Sequence, residues 1–228
     1  MQAHIFMSET LRGTKEKFER SAVHMFRKVR NIYDRNVFSP SVAKRISYQH
    51  TSATSFLDIG SGKGYLGEAI KKKIPSAQVI STDIEDGSHS GNTPFVISSA
   101  SKLPFANKSF DLSTLFYVLH HMDFPEEALR EAKRVSNAIV VHEDAYRKKW
   151  QKKLINYHVE SFQREYGSAT IGTSVKTDDE WQELFKREGL AVTKKRRIRN
   201  IRKLIYAVPQ YEYHLTPVDV FIREETVA

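Results

Sequence analysis

Glycine stands at every second position from Gly60 to Gly64, directly after a short apolar run that closes on an acid, and no other feature of the chain constrains its fold as strongly. The stretch reads FLDIGSGKGYLG from Phe56 to Gly67. Phe56 and Leu57 belong to a strand, Asp58 sits at its carboxyl end, and a helix-like pattern begins after Gly64. Strand, tight turn and helix N-terminus follow in that order. Glycine lets the backbone turn without a Cβ clash and lets a ligand lie against the main chain. The helix N-terminus adds unpaired N–H groups and partial positive charge, which suits an anionic ligand group. Open α/β sheets bind ligands at the carboxyl ends of their strands, so Asp58 is placed at a binding edge.

The spacing separates cofactors. A dinucleotide fingerprint, G-x-G-x-x-G, starting at Gly60 needs its third glycine where Tyr65 stands, which disfavours a dehydrogenase. The pattern present, D-x-G-x-G-x-G, resembles the first motif of the class I S-adenosylmethionine (SAM)-dependent methyltransferases. That resemblance implies that the loop of Gly60, Ser61, Gly62, Gly64 and Tyr65 wraps the methionine part of SAM, with Asp58 near its amino group. A glycine turn serving only strand-to-helix packing is the plainer alternative.

Downstream residues extend the same pattern. Gln78–Thr82 reads as a second strand ending at Asp83, 23 residues after Gly60. An acid at about that distance can accept hydrogen bonds from both hydroxyls of a ribose, and SAM carries that ribose. Asp83 is therefore the expected ribose partner, with Ile84 beside it and Glu85 as the fallback. Phe95–Ser98 is a short third strand. Between Ser98 and Asp123 stand S-A-x-x-L-P-F, S-F-D-L and V-L-H-H, which resemble the middle of the small-molecule-type (methyltransferase type 11-like) members of the class. The resemblance puts Ser99 and Ala100 at the adenine, where Ser99 replaces a customary acid and offers a hydroxyl without charge. Asp111–Val118 is nearly all apolar after its first residue, as suits a strand buried on both faces. Tyr117 to His121 then border the ligand crevice, and Tyr117 joins the expected cofactor set.

Flanking segments frame this core. Phe18, Ala22, Met25, Phe26, Val29, Ile32 and Tyr33 recur at helical spacing within Lys15–Val37, Pro40 interrupts, and Ser41–Gln49 forms a second short helix. In the class such N-terminal helices form a lid, and Tyr33-Asp34 resembles a pair common there. Asp123 caps a helix through D-F-P-E. Ala138–Val141 is a fifth strand ending at His142-Glu143-Asp144. A helical insertion follows, with Trp150, Leu154, Tyr157, His158 and Phe162 at helical spacing. Thr177 and Glu180 form a capping box, and Gly189 stops that helix. Ala191–Ile205 starts as a strand and holds KKRRIRNIRK, and Val218–Arg223 is the closing strand. The resemblance implies a Rossmann-like, seven-stranded, mostly parallel α/β sheet with helices on both faces and its last strand antiparallel. The expected organisation is an N-terminal helical lid over 1–50 and a SAM-binding domain over 51–228, with the insertion at about 145–176.

Charge decides less. The net charge is +9, and the basic surplus lies in residues 1–50 and 145–203, while the remainder is acidic. That asymmetry fits an anionic small substrate, a nucleic acid or merely solvated helix faces. No cysteine is present, so disulfides and thiolate metal sites are excluded. No apolar run reaches the ~18 residues of a membrane span, and a cytoplasmic protein is the expectation. Methyl transfer needs a general base only if the acceptor arrives protonated. His120 and His121 are the candidates by position, with His142 and Glu143 the second choice and no spacing that favours a metal. Three functions follow: a methyltransferase for a small-molecule acceptor, an RNA methyltransferase using the basic flanks, and a SAM-binding protein without catalysis. Against the RNA reading, Phe116-Tyr117-Val118-Leu119 stands where base amino-group methylation uses N/D-P-P-Y/F. Oligomeric state is not legible.

Overall fold

The apolar runs become strands β1 (Ser55–Ile59), β2 (Gln78–Asp83), β3 (Phe95–Ile97), β4 (Phe110–Phe116), β5 (Ser136–Asp144), β6 (Leu190–Ile198) and β7 (Gln210–Pro217) in a computed structural model. It describes residues 28–29, 31–85, 92–166, 174–198 and 208–218, with the side chains of 158–166 excepted. The strands form one sheet in the order β3-β2-β1-β4-β5-β7-β6. β1 pairs in parallel with β2 and β4, β2 with β3, and β4 with β5. β7 alone runs antiparallel, wedged between β5 and β6. Strand order reverses between β1 and β4, and that switch point opens a crevice at their carboxyl ends.

Among the described residues the sheet is accompanied by helices α1 (Ser39–Gln49), α2 (Tyr65–Lys73), α3 (Pro125–Val135), α4 (Lys149–Tyr166) and α5 (Asp178–Arg187). Val42, Ala43 and Ile46 of α1 and Leu66 and Ile70 of α2 pack on Phe56, Val79, Leu112 and Val140. On the opposite face Leu129 and Ala132 of α3 and Trp181 and Phe185 of α5 cover Leu57, Leu115, Val141 and Tyr213. The central strands β1, β4 and β5 therefore present apolar residues on both sides, as a sheet between two helical layers requires. Among the described residues no helix is long and apolar enough to cross a membrane.

Several boundaries differ from the sequence reading for physical reasons. Pro40 does not interrupt: a π-helical turn over Asp34–Phe38 precedes α1, and the Ser39 N–H bonds to the Asp34 carbonyl. Proline cannot donate to the carbonyl four residues back, and the widened turn absorbs that mismatch just ahead of it. An inserted residue rotates a helix face by about 100°. Val29 and Ile32, 57% and 63% exposed, are thus not continuous with the buried face of Val42, Ala43 and Ile46. The part of that predicted helix before residue 28 lies outside the described residues.

Asp123 does not cap α3; Phe124 is the N-cap, without a side-chain hydrogen bond, because Pro125 occupies the first helical position. A residue before proline is held out of the helical region, which starts the helix one residue later than D-F-P-E implies. The capping box of Thr177 and Glu180 is present in both directions, at 3.2 Å and 2.6 Å, and Gly189 follows α5 with a φ of +67°. The closing strand is Gln210–Pro217 rather than Val218–Arg223. Its polar Glu212 and His214 are buried as fully as its tyrosines, so it carries no polar-out alternation. Val218 lies past the strand, and 219–223 fall outside the described residues. Among the described side chains of α4 the buried apolar one is Ile155, with Leu154 beside it, whereas Trp150 and Tyr157 are exposed. The side chains of His158 and Phe162 are not among those described.

Candidate functional site

Gly60, Gly62 and Gly64 adopt φ values of +66°, +53° and +72°. All three are left-handed, a conformation that costs a side-chain-bearing residue roughly 1–2 kcal/mol. Gly60 also has no room for a side chain, since a Cβ would stand 2.4 Å from Val118 Cγ2. A Cβ on Gly62 would meet nothing within 4 Å. One glycine is thus demanded by packing and the other faces open space. Gly60→Ala is expected to lower stability, with the left-handed strain and the Val118 clash together at about 2–4 kcal/mol. Gly62→Ala is expected to cost about 1–2 kcal/mol; chemical denaturation of the two variants side by side checks the ranking.

The turn is tied down by its neighbours. Ser61 N–H bonds to the Thr82 carbonyl at 3.0 Å, and Gly62 N–H bonds to Asp83 Oδ2 at 2.7 Å. Asp83 Oδ1 accepts from the N–H of Ile84 at 2.7 Å. Each carboxylate oxygen of Asp83 keeps a further lone-pair direction, since an ionised carboxylate has about four acceptor sites. Ile84 itself is 45% exposed at the end of β2. Tyr65 opens α2, with the Arg35 guanidinium 5.9 Å from its ring centre.

Asp58 lies 3% exposed beneath this turn. Its Oδ1 accepts from the Thr114 hydroxyl at 2.7 Å, and its Oδ2 is buried with no hydrogen-bonding partner among the described residues. Burial, with the Asp83 charge adding, pushes the carboxyl up to about 7, against the Thr114 hydroxyl and the Gly67 main-chain N–H, which favours ionisation from outside hydrogen-bond geometry. Ser61 Oγ is likewise buried without a partner among the described residues. At the end of β3, Ser99 spends its hydroxyl locally: Oγ lies 2.9 Å from Ser101 Oγ and accepts from the Ser101 N–H at 3.3 Å. Ala100 next to it is partly buried against the core.

Beyond β4 the chain turns sharply. Tyr117 has a φ of +60°, a strained value for a bulky residue. Its N–H bonds to the His142 carbonyl at 2.8 Å, and its hydroxyl lies 3.1 Å from His142 Nε2. Phe38, from the π-helical turn, brings its ring centre within 6.1 Å of Tyr117, 6.2 Å of Phe116 and 5.3 Å of His142. A short 3-10 turn over Leu119–His121 follows. His120 is 2% exposed, with Nδ1 2.5 Å from Glu143 Oε2, while Glu143 Oε1 accepts from the Leu119 N–H at 2.7 Å. Burial opposes the imidazolium, but the Glu143 carboxylate and the nearby Asp144 prevail and hold its pKa above the ordinary histidine value. His121 is only partly buried, its ring centre 4.1 Å from that of His120.

Asp58, the glycine turn, Asp83, Ile84, Ser99, Ala100, Tyr117, His120 and His121 thus lie at the carboxyl ends of β1 to β4. Phe38 and Thr114 were not anticipated, and no local pattern signals them: they reach the site from a π-helical turn and from the middle of a strand. Glu143, a second choice of the sequence reading because it ends a central strand, lies beside His120. A second polar group, Arg45, Glu212, His214 and His50, lies between α1 and β7.

Residues 57–138 match the family model described as "Methyltransferase domain". A ubiquinone/menaquinone biosynthesis C-methyltransferase of Pseudomonas paraeruginosa is 33% identical over 97 residues, which cover 37% of this chain and 38% of that protein. A homologous enzyme of Cupriavidus taiwanensis is 36% identical over 90 residues, covering 35% and 37%. The matched region thus spans under two fifths of the curated relatives' length. Among solved structures, the magnesium protoporphyrin IX methyltransferase of Synechocystis aligns with a TM-score of 0.57 at 12% identity, over 85% of this chain and 94% of that one. The geranyl diphosphate C-methyltransferase of Streptomyces coelicolor gives 0.58 at 10% identity, over 72% and 73%. A [4+2]-cyclase gives 0.58 at 13% identity, over 78% and 82%. These likenesses show the fold alone.

Proposed function

We propose that the protein is a SAM-dependent methyltransferase acting on a small-molecule acceptor. The observation that carries this reading is the buried, unpartnered Oδ2 of Asp58 beside a left-handed glycine turn with open space at Gly62. A buried carboxylate oxygen without a partner is costly, and a cationic amino group relieves that cost. The residues fit SAM from end to end. Asp58 would hold the amino group, and Gly60, Ser61, Gly62, Gly64 and Tyr65 would let the methionine part lie on the main chain. The remaining lone pairs of Asp83 would take the ribose hydroxyls. Ile84, Ser99, Ala100 and Tyr117 would flank the adenine and the rest of the cofactor. SAM supplies an electrophilic methyl group on a sulfonium; the protein supplies position and electrostatics.

The acceptor side draws support from the aromatic groups of Phe38, Phe116, Tyr117 and His142 at the ends of β4 and β5. Such a surface suits a planar apolar molecule, in keeping with relatives named for quinone biosynthesis. In this reading residues 1–50 act as the lid and about 145–176 as an insertion over the acceptor. His120 and His121 are the candidate proton acceptors. The RNA alternative has its own observation, the exposed run Lys194, Lys195, Arg196 and Arg197 along β6.

Methyl-labelled SAM incubated with the protein and an extract of its source cells separates these readings. Label is expected in the small-molecule fraction. Nuclease-sensitive label in the RNA fraction would transfer the acceptor role to RNA. SAM binding with no label in any fraction would leave a binding protein without catalysis and direct attention to Ser99.

A further inference from the structure

We propose that Arg147, with Lys152 and Lys176 beside it, binds an anionic group carried by the methyl acceptor, a carboxylate or a phosphate. The inference rests on the methyltransferase reading above and adds a charge requirement to its acceptor.

The three cations gather where the chain leaves β5. Ala145 N–H bonds to the Pro209 carbonyl at 2.9 Å, and Ala145 bridges in parallel to Lys176. Tyr146 N–H bonds to the Lys176 carbonyl at 3.2 Å. Two residues before Lys176, the Ser174 N–H bonds to the His120 carbonyl at 3.3 Å. Residues 174–176 therefore tie this corner to the 3-10 turn at the carboxyl end of β4. Two extended residues span at most about 7 Å, so the Lys176 main chain lies within a small molecule's length of His120.

What holds these cations is uncharged. Arg147 Nη2 donates to the Tyr211 hydroxyl at 2.7 Å. Lys152 Nζ stands 5.4 Å from the Tyr146 ring centre, and Lys176 Nζ stands 5.6 Å from the Trp181 ring. A phenol hydroxyl or an aromatic face attracts a cation without cancelling its charge. Among the described residues Arg147, Lys152 and Lys176 form no ion pair, whereas Arg45, Arg130, Arg134 and Lys195 each meet a carboxylate within 3.0 Å. The carboxylates close by have other tasks. Asp144 Oδ1 accepts from Gln210 Nε2 at 2.9 Å, and Glu180 Oε2 accepts from the Thr177 N–H at 2.6 Å. Glu180 also feels the charges of Lys176 and Lys152. The lysines are thus partly offset, and Arg147 leads the group.

Arg147 is anchored on two sides. Gln151 Oε1 accepts from the main-chain N–H groups of Arg147 and Lys148 at 2.8 Å and 3.0 Å. Tyr211 is buried and stands opposite Glu143 in the β5–β7 ladder, so its hydroxyl is a fixed post for the guanidinium. A guanidinium offers five N–H donors in a planar fork that matches a carboxylate or phosphate, and Tyr211 takes only Nη2. A merely solvated arginine needs no such post. The aromatic groups at the ends of β4 and β5 would take the body of the acceptor, and these cations its charged end.

The test uses the full chain, methyl-labelled SAM and a protein-free extract of its source cells. The product, freed of unreacted SAM, is passed over an anion exchanger at pH 7. Retention of the label is expected. Phosphatase treatment then releases it if the group is a phosphate and leaves it bound if the group is a carboxylate. Arg147→Gln is expected to need roughly 10- to 100-fold more extract for half-maximal labelling, with the maximal rate and SAM affinity kept, and Arg147→Lys to fall between the two. The charge of the wild-type product decides the matter even if a variant fails to fold. A labelled product that flows through, or Arg147→Gln saturating at the wild-type amount of extract, overturns the anion site while the methyltransferase reading stands. Nuclease-sensitive label overturns it as well, because the cations would then meet polynucleotide phosphates. Absence of label from every fraction removes the methyltransferase reading and this inference with it.

Discussion

At pH 8 the Asp58→Asn variant is expected to be more stable than the wild type and to bind SAM roughly 10- to 100-fold more weakly. Both effects follow from one carboxylate. Burial raises its folded pKa from 3.8 to about 7. Between those values the folded chain holds a proton that the unfolded chain has released, so stability falls as pH rises. Above about pH 7 the full penalty is present, at most about 4 kcal/mol for a shift of this size. Asparagine keeps an oxygen for the Thr114 hydroxyl and carries no charge, which removes the penalty. It also removes the anion proposed to meet the cofactor's amino group.

His50 makes the pH dependence diagnostic. Burial first, then the charges of His214 and Lys194, lower its pKa from 6.5 to about 4 against the opposing Glu212. Within that window the unfolded chain holds the extra proton, so His50 makes stability rise with pH. In the wild type the slopes of Asp58 and His50 oppose each other over about pH 4 to 6.5. Asp58→Asn should therefore turn a nearly flat profile into a rising one. Thermal melts at pH 4.5, 6.5 and 8, with calorimetric titration of SAM, check both halves. Equal melting shifts at every pH would disprove the linkage, and unchanged SAM affinity would remove Asp58 from the cofactor site.

The half of the site proposed to face SAM could be brought together from the sequence because its signals are local. Asp58, the three glycines and Asp83 lie within 26 residues, each at a strand end that hydrophobicity marks. The seven-stranded sheet with one antiparallel strand was implied by the family resemblance that those motifs carry. What escaped was set by distance along the chain. Arg45 and Glu212 are 167 positions apart, and His50 and His214 164 apart, so no periodicity links them. Their strand, β7, was placed too late because Glu212 and His214 look like surface residues. Buried polar groups that satisfy one another leave no trace in an apolar pattern. Local backbone chemistry explains the smaller misses, as with the π-helical turn ahead of Pro40 and the displaced cap before Pro125.

That hidden group carries the second large effect. Arg45→Met is expected to destabilise the protein by about 3–5 kcal/mol at pH 7, the usual cost of leaving one member of a buried ion pair alone. The Arg45 guanidinium reaches Glu212 with Nη2 at 2.6 Å and Nε at 3.3 Å, and the carboxylate side chain is 2% exposed. Burial works against the Glu212 charge, but His214 and Arg45 outweigh it and bring the pKa from 4.5 down to about 2. In the wild type that pair stabilises fully above pH 4.5 and fades as pH falls toward 2. Without Arg45 only His214 and His142 oppose the burial penalty, so the folded pKa rises from about 2 and the stabilisation present above pH 4.5 shrinks. The loss should accordingly be larger at pH 7 than at pH 4. Adding Glu212→Leu to Arg45→Met should recover most of it, because an apolar pair needs no partner. Urea midpoints at the two pH values decide the matter. A loss independent of pH, or one that the second substitution deepens, would mean that Arg45 holds α1 to the sheet by packing along its stem rather than by charge.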